Sequence, residues 1–206
     1  MYTPRAFAET DLAHLDALLA ADPFVTLVTT GEDGHPFASH LPVLYRREGG
    51  RVTIEGHWAR PNPQNRHVGP ALMIVHGPHA YVSPSWYPDK EAAARVPTWN
   101  YAVAHLSGTV ERFEDESALG DLVSRLSDRF EAGVGQSWRF EPERDDHRRQ
   151  LRGIVGFRFV PGRIELKFKL SQNHPVANRE VVATRLGEMD DPGARAVAAM
   201  MRARAD

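Results

Sequence analysis

Gly56-His57-Trp58-Ala59-Arg60-Pro61-Asn62-Pro63-Gln64-Asn65-Arg66-His67-Val68-Gly69-Pro70 turns a strand into a short helix. Val52, Ile54, Gly56 and Trp58 alternate with polar or charged neighbours, the period of a strand with one buried face. Asn62 stands where a helix N-cap accepts a backbone N–H, Pro63 suits the first helical position, and Gly69-Pro70 closes the helix after little more than one turn. The free N–H groups of that helix start, with Arg60 and Arg66 beside them, suit a phosphate or carboxylate. Prolines that only turn a corner and arginines that face water account for this stretch alone equally well.

Working outward, Thr10 to Ala20 predicts a helix with Thr10 as cap and Leu12, Leu15, Leu18 and Leu19 on one face. Phe24 to Thr30, the turn Gly31-Glu32-Asp33-Gly34 and Phe37 to Tyr45 predict a hairpin, and Gly49-Gly50 returns the chain into Arg51 to Trp58 as a third consecutive antiparallel strand. Pro42 cannot donate to a ladder, so an edge or bulge is expected at His40-Leu41-Pro42. Ala71 to Val75 and His79 to Val82 predict a strand kinked at Gly77-Pro78, followed by a long loop from Ser83 to Pro97 carrying Trp86 and Tyr87. Thr98 to Phe113 is a long strand with a bend at Gly108; Asp115 caps a helix stopped by Gly133 and Gly135. After a charged surface segment, Phe140 to Arg152, comes a hairpin: Ile154 to Phe159, the turn Val160-Pro161-Gly162-Arg163, and Ile164 to Leu170. Helices around Asn178 to Glu188 and from Asp191 to Ala205 complete the chain. Helices never alternate strictly with strands, which argues for a small antiparallel barrel with helical additions.

A chain of 206 residues, 42% apolar, suffices for one sizeable core, and a single domain over 1–206 is expected, the barrel over about 24–173 and a helical extension over about 174–206. No apolar run reaches the ~20 residues of a membrane helix, and the start lacks the layout of a signal peptide, so a cytoplasmic protein is expected. Zero cysteines exclude disulfides, thiolate metal sites, cysteine nucleophiles and iron–sulfur clusters, so redox chemistry would need an organic cofactor. The formal net charge of -2 gives no sign of a globally basic nucleic-acid binder.

Three of the 25 basic residues are lysines, Lys90, Lys167 and Lys169. In Ile164 to Ser171 the alternation puts Ile164, Leu166, Phe168 and Leu170 on one face and Glu165, Lys167, Lys169 and Ser171 on the other, so two lysines project together as point charges for an anion or as part of a solvated strand face. Trp99 and Tyr101 share a strand face with Asn100 opposite, a pattern that serves a planar heterocycle or, more commonly, a core. Ten histidines show no converging metal-ligand spacing, so no metal is expected; there is no Gly-x-Ser-x-Gly elbow and no glycine-rich phosphate loop.

Met1-Tyr2-Thr3-Pro4, His40-Leu41-Pro42, Gly56-His57, Asn62-Pro63-Gln64, Gly77-Pro78-His79-Ala80-Tyr81-Val82-Ser83-Pro84-Ser85-Trp86-Tyr87, Val96-Pro97-Thr98-Trp99-Asn100-Tyr101 and Lys167-Phe168-Lys169-Leu170-Ser171-Gln172-Asn173 together resemble the PaiB family of FMN-binding negative transcriptional regulators. The resemblance runs in order from Met1 to about Leu186. It implies a mainly β fold, a six-stranded antiparallel split β-barrel of Greek-key type with N-terminal, inserted and C-terminal helices. It also implies a homodimer with FMN between the subunits and a role in repressing transcription. The matching positions expected at the cofactor are His40, Leu41, His57, Arg60, Asn62, Gln64, Trp99, Asn100, Tyr101, Lys167, Lys169 and Gln172. By their chemistry, Arg60, Lys169 and the N–H groups after Asn62 suit the FMN phosphate, while Trp99, Tyr101, Asn100 and Gln172 suit the isoalloxazine ring. DNA is a partner by resemblance alone: the last helix is short of base-reading side chains, and Arg144, Arg148, Arg149 and Arg152 are interleaved with Glu143, Asp145 and Asp146. A flavin-dependent oxidoreductase acting on a small molecule beneath Trp86 and Tyr87 is the alternative.

Overall fold

In a computed structural model that describes residues 1–67 and 69–204, the elements follow in the order β1 (Ala8–Glu9), α1 (Ala13–Ala21), β2 (Phe24–Thr30), β3 (Pro36–Pro42), β4 (Leu44–Glu48), β5 (Arg51–Ala59), β6 (Pro70–Val82), β7 (Thr98–Phe113), α2 (Glu116–Val134), α3 (Asp145–Leu151), β8 (Ile154–Lys169), α4 (Val176–Glu188) and α5 (Pro192–Ala203). Single 3-10 turns occur at Arg5–Phe7, Pro63–Arg66 and Pro84–Trp86. Hydrogen-bonded neighbours run β3-β2-β6-β7-β8-β5-β4, with β1 added to β8. The chain divides into two compact units, one of residues 1–11, 76–104 and 165–206, the other of residues 12–75 and 105–164. β6, β7 and β8 each contribute residues to both. Among the described residues no helix is long and apolar enough to cross a membrane.

In the unit of residues 12–75 and 105–164, β2 pairs antiparallel with β3, from Phe24↔Pro42 to Thr30↔Pro36, and with β6, from Thr26↔Ile74 to Thr29↔Ala71. β5 pairs antiparallel with β4 and, from Ile54↔Phe159 to Ala59↔Ile154, with β8. The alternation of Val52, Ile54, Gly56 and Trp58 is observed as burial, and the Trp58 ring lies 4.7 Å from that of Phe157. Gly56 is required there, since a Cβ would stand 2.7 Å from the Phe157 ring. α2 begins as its sequence predicts, with Asp115 accepting from the N–H of Ala118, and ends at Gly135 with φ +68°.

In the other unit, β1 pairs with β8 through Ala8↔Lys167 and Glu9↔Leu166. Its core takes Leu166, Phe168 and Leu170 together with Val182 and Leu186 of α4 and Val197 and Met201 of α5. Asp191 caps α5 through the N–H of Gly193; the predicted end of that helix, Ala205, lies outside the described residues.

The structure corrects several sequence expectations. Glu9 Oε1 accepts from the N–H groups of Thr10 and Asp11, so the chain enters α1 only at Ala13 and Thr10 is not its cap. Val43 interrupts the second predicted strand, so β3 closes on β2 at the sheet edge and β4 on β5, and there is no meander of three. β6 runs through Gly77-Pro78 without a break, and Gly133 lies inside α2. Pro161-Gly162 makes no hairpin: neither residue has the positive φ a tight turn needs, and β8 is continuous. With β1 and β4 counted separately, the described residues hold eight strands instead of six.

Candidate functional site

The end of β8 and the start of β7 carry the two lysines and the aromatic residues. Lys167 is only 8% exposed, which rules out a solvated strand face. Its Nζ donates to the backbone carbonyl of Tyr2 at 3.1 Å and lies 5.2 Å from the Tyr101 ring centroid and 5.6 Å from that of Tyr2. Lys169 Nζ donates to Thr98 Oγ1 at 2.5 Å and to the Trp99 carbonyl at 2.6 Å, 6.0 Å from the Phe7 ring. Among the described residues neither ammonium has a carboxylate at ion-pair distance. Burial, and secondarily the positive charge of Lys167, hold the Lys169 pKa below its ordinary value. Two confined cations without a counter-ion are an arrangement that an anion relieves.

Beside the lysines in sequence, Trp99 stays 51% exposed and Tyr81 44% exposed. The Trp99 ring centroid is 5.6 Å from that of His79 and 6.1 Å from that of Tyr81, giving an open group of flat side chains. Asn100 faces the other way, fully buried, its amide between Ser171 Oγ at 2.9 Å and Met201 Sδ at 3.4 Å. Gln172 is likewise spent on its own turn, accepting from the Leu170 N–H and donating to the Phe168 carbonyl. Expected at a flavin edge, both instead fix the end of β8. Tyr2, His79 and Tyr81 fall within family motifs without standing out by spacing, His79 and Tyr81 being i, i+2 on one strand, while Phe7 has no signal short of the β1–β8 pairing.

The remaining predicted residues lie in the other unit, where most serve its architecture. Asn62 caps the Pro63–Arg66 turn through the Gln64 N–H and donates to Ser39 Oγ at 2.9 Å. The buried Gln64 side chain accepts from Trp58 Nε1 at 2.9 Å and donates to the carbonyls of Leu27 and Phe37 and to Thr29 Oγ1. Arg60, expected on a phosphate, is committed to Glu114 and to the carbonyls of Arg152 and Ile154, and so closes a corner of its unit. Leu41 is buried; His40 pairs through Nδ1 with Thr26 Oγ1 at 3.0 Å. His57 keeps a buried Nδ1 without a partner, and burial lowers its pKa.

These features define a class: antiparallel strands of the split-barrel kind, with two neighbouring lysines and open aromatic surface in the strands. The chain belongs to the family described as "Putative FMN-binding domain", which matches residues 1–161. Over 98% of its length it is 31% identical to the "Protease synthase and sporulation protein PAI 2" of Bacillus subtilis, covering 96% of that protein. The "FAD and Heme binding protein" of Mycobacterium smegmatis has the same fold at TM-score 0.59 and 22% identity, over 86% of this chain and 79% of that one. The "Flavocytochrome Anf3" of Azotobacter vinelandii matches at TM-score 0.56 and 16% identity, over 81% of this chain and 72% of that one. FMN is thus the cofactor, and the residues present fit it: two unpaired ammonium groups suit its phosphate dianion, and the Trp99–Tyr81–His79 surface suits a planar ring.

Proposed function

We propose that the protein is an FMN-binding regulator of gene expression whose Lys167 and Lys169 hold the FMN phosphate. The observation that carries the reading is the pair of lysines with no carboxylate at ion-pair distance among the described residues. Lys167 holds its charge between the Tyr2 and Tyr101 rings, while Lys169 is oriented by Thr98 and the Trp99 carbonyl. Trp99 and Tyr81 then offer flat contact and exclude water from the ring beside them. When bound, the flavin supplies the redox chemistry, which no side chain of this cysteine-free chain supplies. A second copy of the chain covers the exposed Trp99, Tyr81 and Val96 and completes the site.

The regulatory half of the reading is supported by the relative whose name places it in protease synthesis and sporulation. In this chain Arg144 and Arg148 are paired with Asp146 and Asp145, and the exposed Arg149 and Arg152 beside them are too few for a basic recognition stripe. The protein therefore acts on transcription through a protein partner. Purification should yield a yellow dimer that releases FMN on denaturation, and a gel-shift titration at stated salt should show no specificity over competitor DNA unless that partner is added. A colourless protein that takes up no added FMN would remove the cofactor assignment. Rapid bleaching by NAD(P)H with reoxidation coupled to a small molecule would favour the oxidoreductase reading, for which the half-exposed Trp99 leaves access.

A further inference from the structure

A cavity of about 440 Å³ lies between α4, α5 and the residues that follow β8, within the roughly 300–1,000 Å³ range of small-molecule sites. Its residues, Leu170 to Arg204, fall beyond the part of the chain that the FMN-binding family covers. Leu170, Ala183 and Met201 give it buried apolar wall. Arg179, Arg202 and Arg204 give it charge.

The three arginines are not equally satisfied. Arg204 is paired with Glu9 and stands 5.5 Å from the Phe168 ring; Arg202 Nη2 donates to the Ala183 carbonyl at 3.2 Å. Among the described residues the Arg179 guanidinium, which lines the cavity, has no carboxylate or other acceptor at hydrogen-bond distance. A guanidinium cannot shed its charge, so an arginine in a cavity wall without an acceptor of its own is available to an anion that enters. With Glu180 also in the lining and Glu9 on Arg204, the described residues of the lining keep a single surplus positive charge. A flat two-oxygen anion matches the guanidinium fork, and the apolar wall has nothing to offer a bare inorganic ion.

We propose that this cavity is a second ligand site, taking an organic monocarboxylate with its carboxylate on Arg179 and its hydrocarbon body against Leu170, Ala183 and Met201. It is independent of the FMN reading, because it uses neither lysine and none of the exposed aromatic residues.

The test is calorimetric titration of octanoate into the full-length protein, as purified and again saturated with FMN, so that loss of the FMN reading leaves this one measurable. Octanoate should bind once per chain, with 1-octanol at least about tenfold weaker for want of the charge-assisted contact and inorganic phosphate at least about tenfold weaker for want of apolar burial. Arg179→Lys should weaken octanoate about tenfold by the same measure, and Ala183→Phe, which fills the cavity, should abolish binding while FMN absorbance is retained. Should Ala183→Phe fail to fold, Arg179→Lys still reports. No binding of octanoate, equal binding by parent and Arg179→Lys, tighter binding of phosphate, or release of FMN by octanoate would each overturn the proposal.

Discussion

The ammonium of Lys169 donates to the backbone carbonyl of Trp99 at 2.6 Å, so the group proposed for the phosphate also sets the position of the exposed ring. The same Nζ reaches Thr98 Oγ1, and one lysine therefore ties the end of β8 to the first residues of β7. Charge and flat surface are held in register by a single side chain. Altering it should affect both, whereas Lys167, packed between Tyr2 and Tyr101, should affect charge alone.

Lys167→Ala and Lys169→Ala should each weaken FMN binding by about ten- to a hundredfold, the equivalent of about 1.5–3 kcal/mol for a hydrogen bond to a charged group. Quenching of flavin fluorescence measures the affinity. Wild-type affinity in both variants would detach the lysine pair from the cofactor.

FMN affinity should fall as pH rises through the alkaline range. Burial and Lys167 keep the free Lys169 below its ordinary pKa, and a bound phosphate raises it again, so binding takes up a proton between the two values. Binding is strongest where Lys169 is already protonated and weakens as it deprotonates. Lys169→Arg keeps its charge throughout and should flatten the profile; an unchanged slope in that variant would assign the titration elsewhere.

Gln64→Leu should destabilise the protein by about 2–4 kcal/mol, because it leaves the buried Trp58 Nε1–H without an acceptor and the carbonyls of Leu27 and Phe37 without a donor. Adding Trp58→Phe should cost less than its effect alone, since the stranded N–H is then gone. Thermal melts of the two single variants and the double variant check this, and strict additivity would show that the bond between them contributes nothing.

Gly108→Ala should cost about 1–3 kcal/mol, since its Cβ would stand 2.6 Å from the backbone oxygen of Val160, which cannot swing away. Gly162→Ala meets nothing within 4 Å at a residue without positive φ, and should be neutral or stabilise by up to about 1 kcal/mol. A marked loss at Gly162 would restore the turn that Val160-Pro161-Gly162-Arg163 suggests.

Local chemistry was legible wherever a few neighbouring residues decide the outcome. Asp115 and Asn62 cap their turns as their side chains predict, and the bounds of β2 and β7 follow from runs of strand-forming residues. The aromatic face of Trp99 and Tyr101 with Asn100 turned away needed only the period of a strand. Partner-dependent features were not legible: Pro161-Gly162 reads as a turn in isolation, yet β5 and β1 draw the residues on either side into one strand. Arg60 reads as an anion binder until Glu114 and two carbonyls, distant in sequence, are seen to take its donors.

The sequence by itself determined the antiparallel class, the order of most elements, the family motifs and the lysine pair on one strand face, because periodicity, caps and motif order are properties of neighbouring residues. Only the tertiary structure decided that Lys167 is buried, that Asn100, Gln64, Gln172 and Arg60 are consumed by structural bonds, and that α4 and α5 enclose an arginine-lined cavity. Those outcomes depend on which partners arrive from across the chain, and a donor is free for a ligand only when none of them has claimed it.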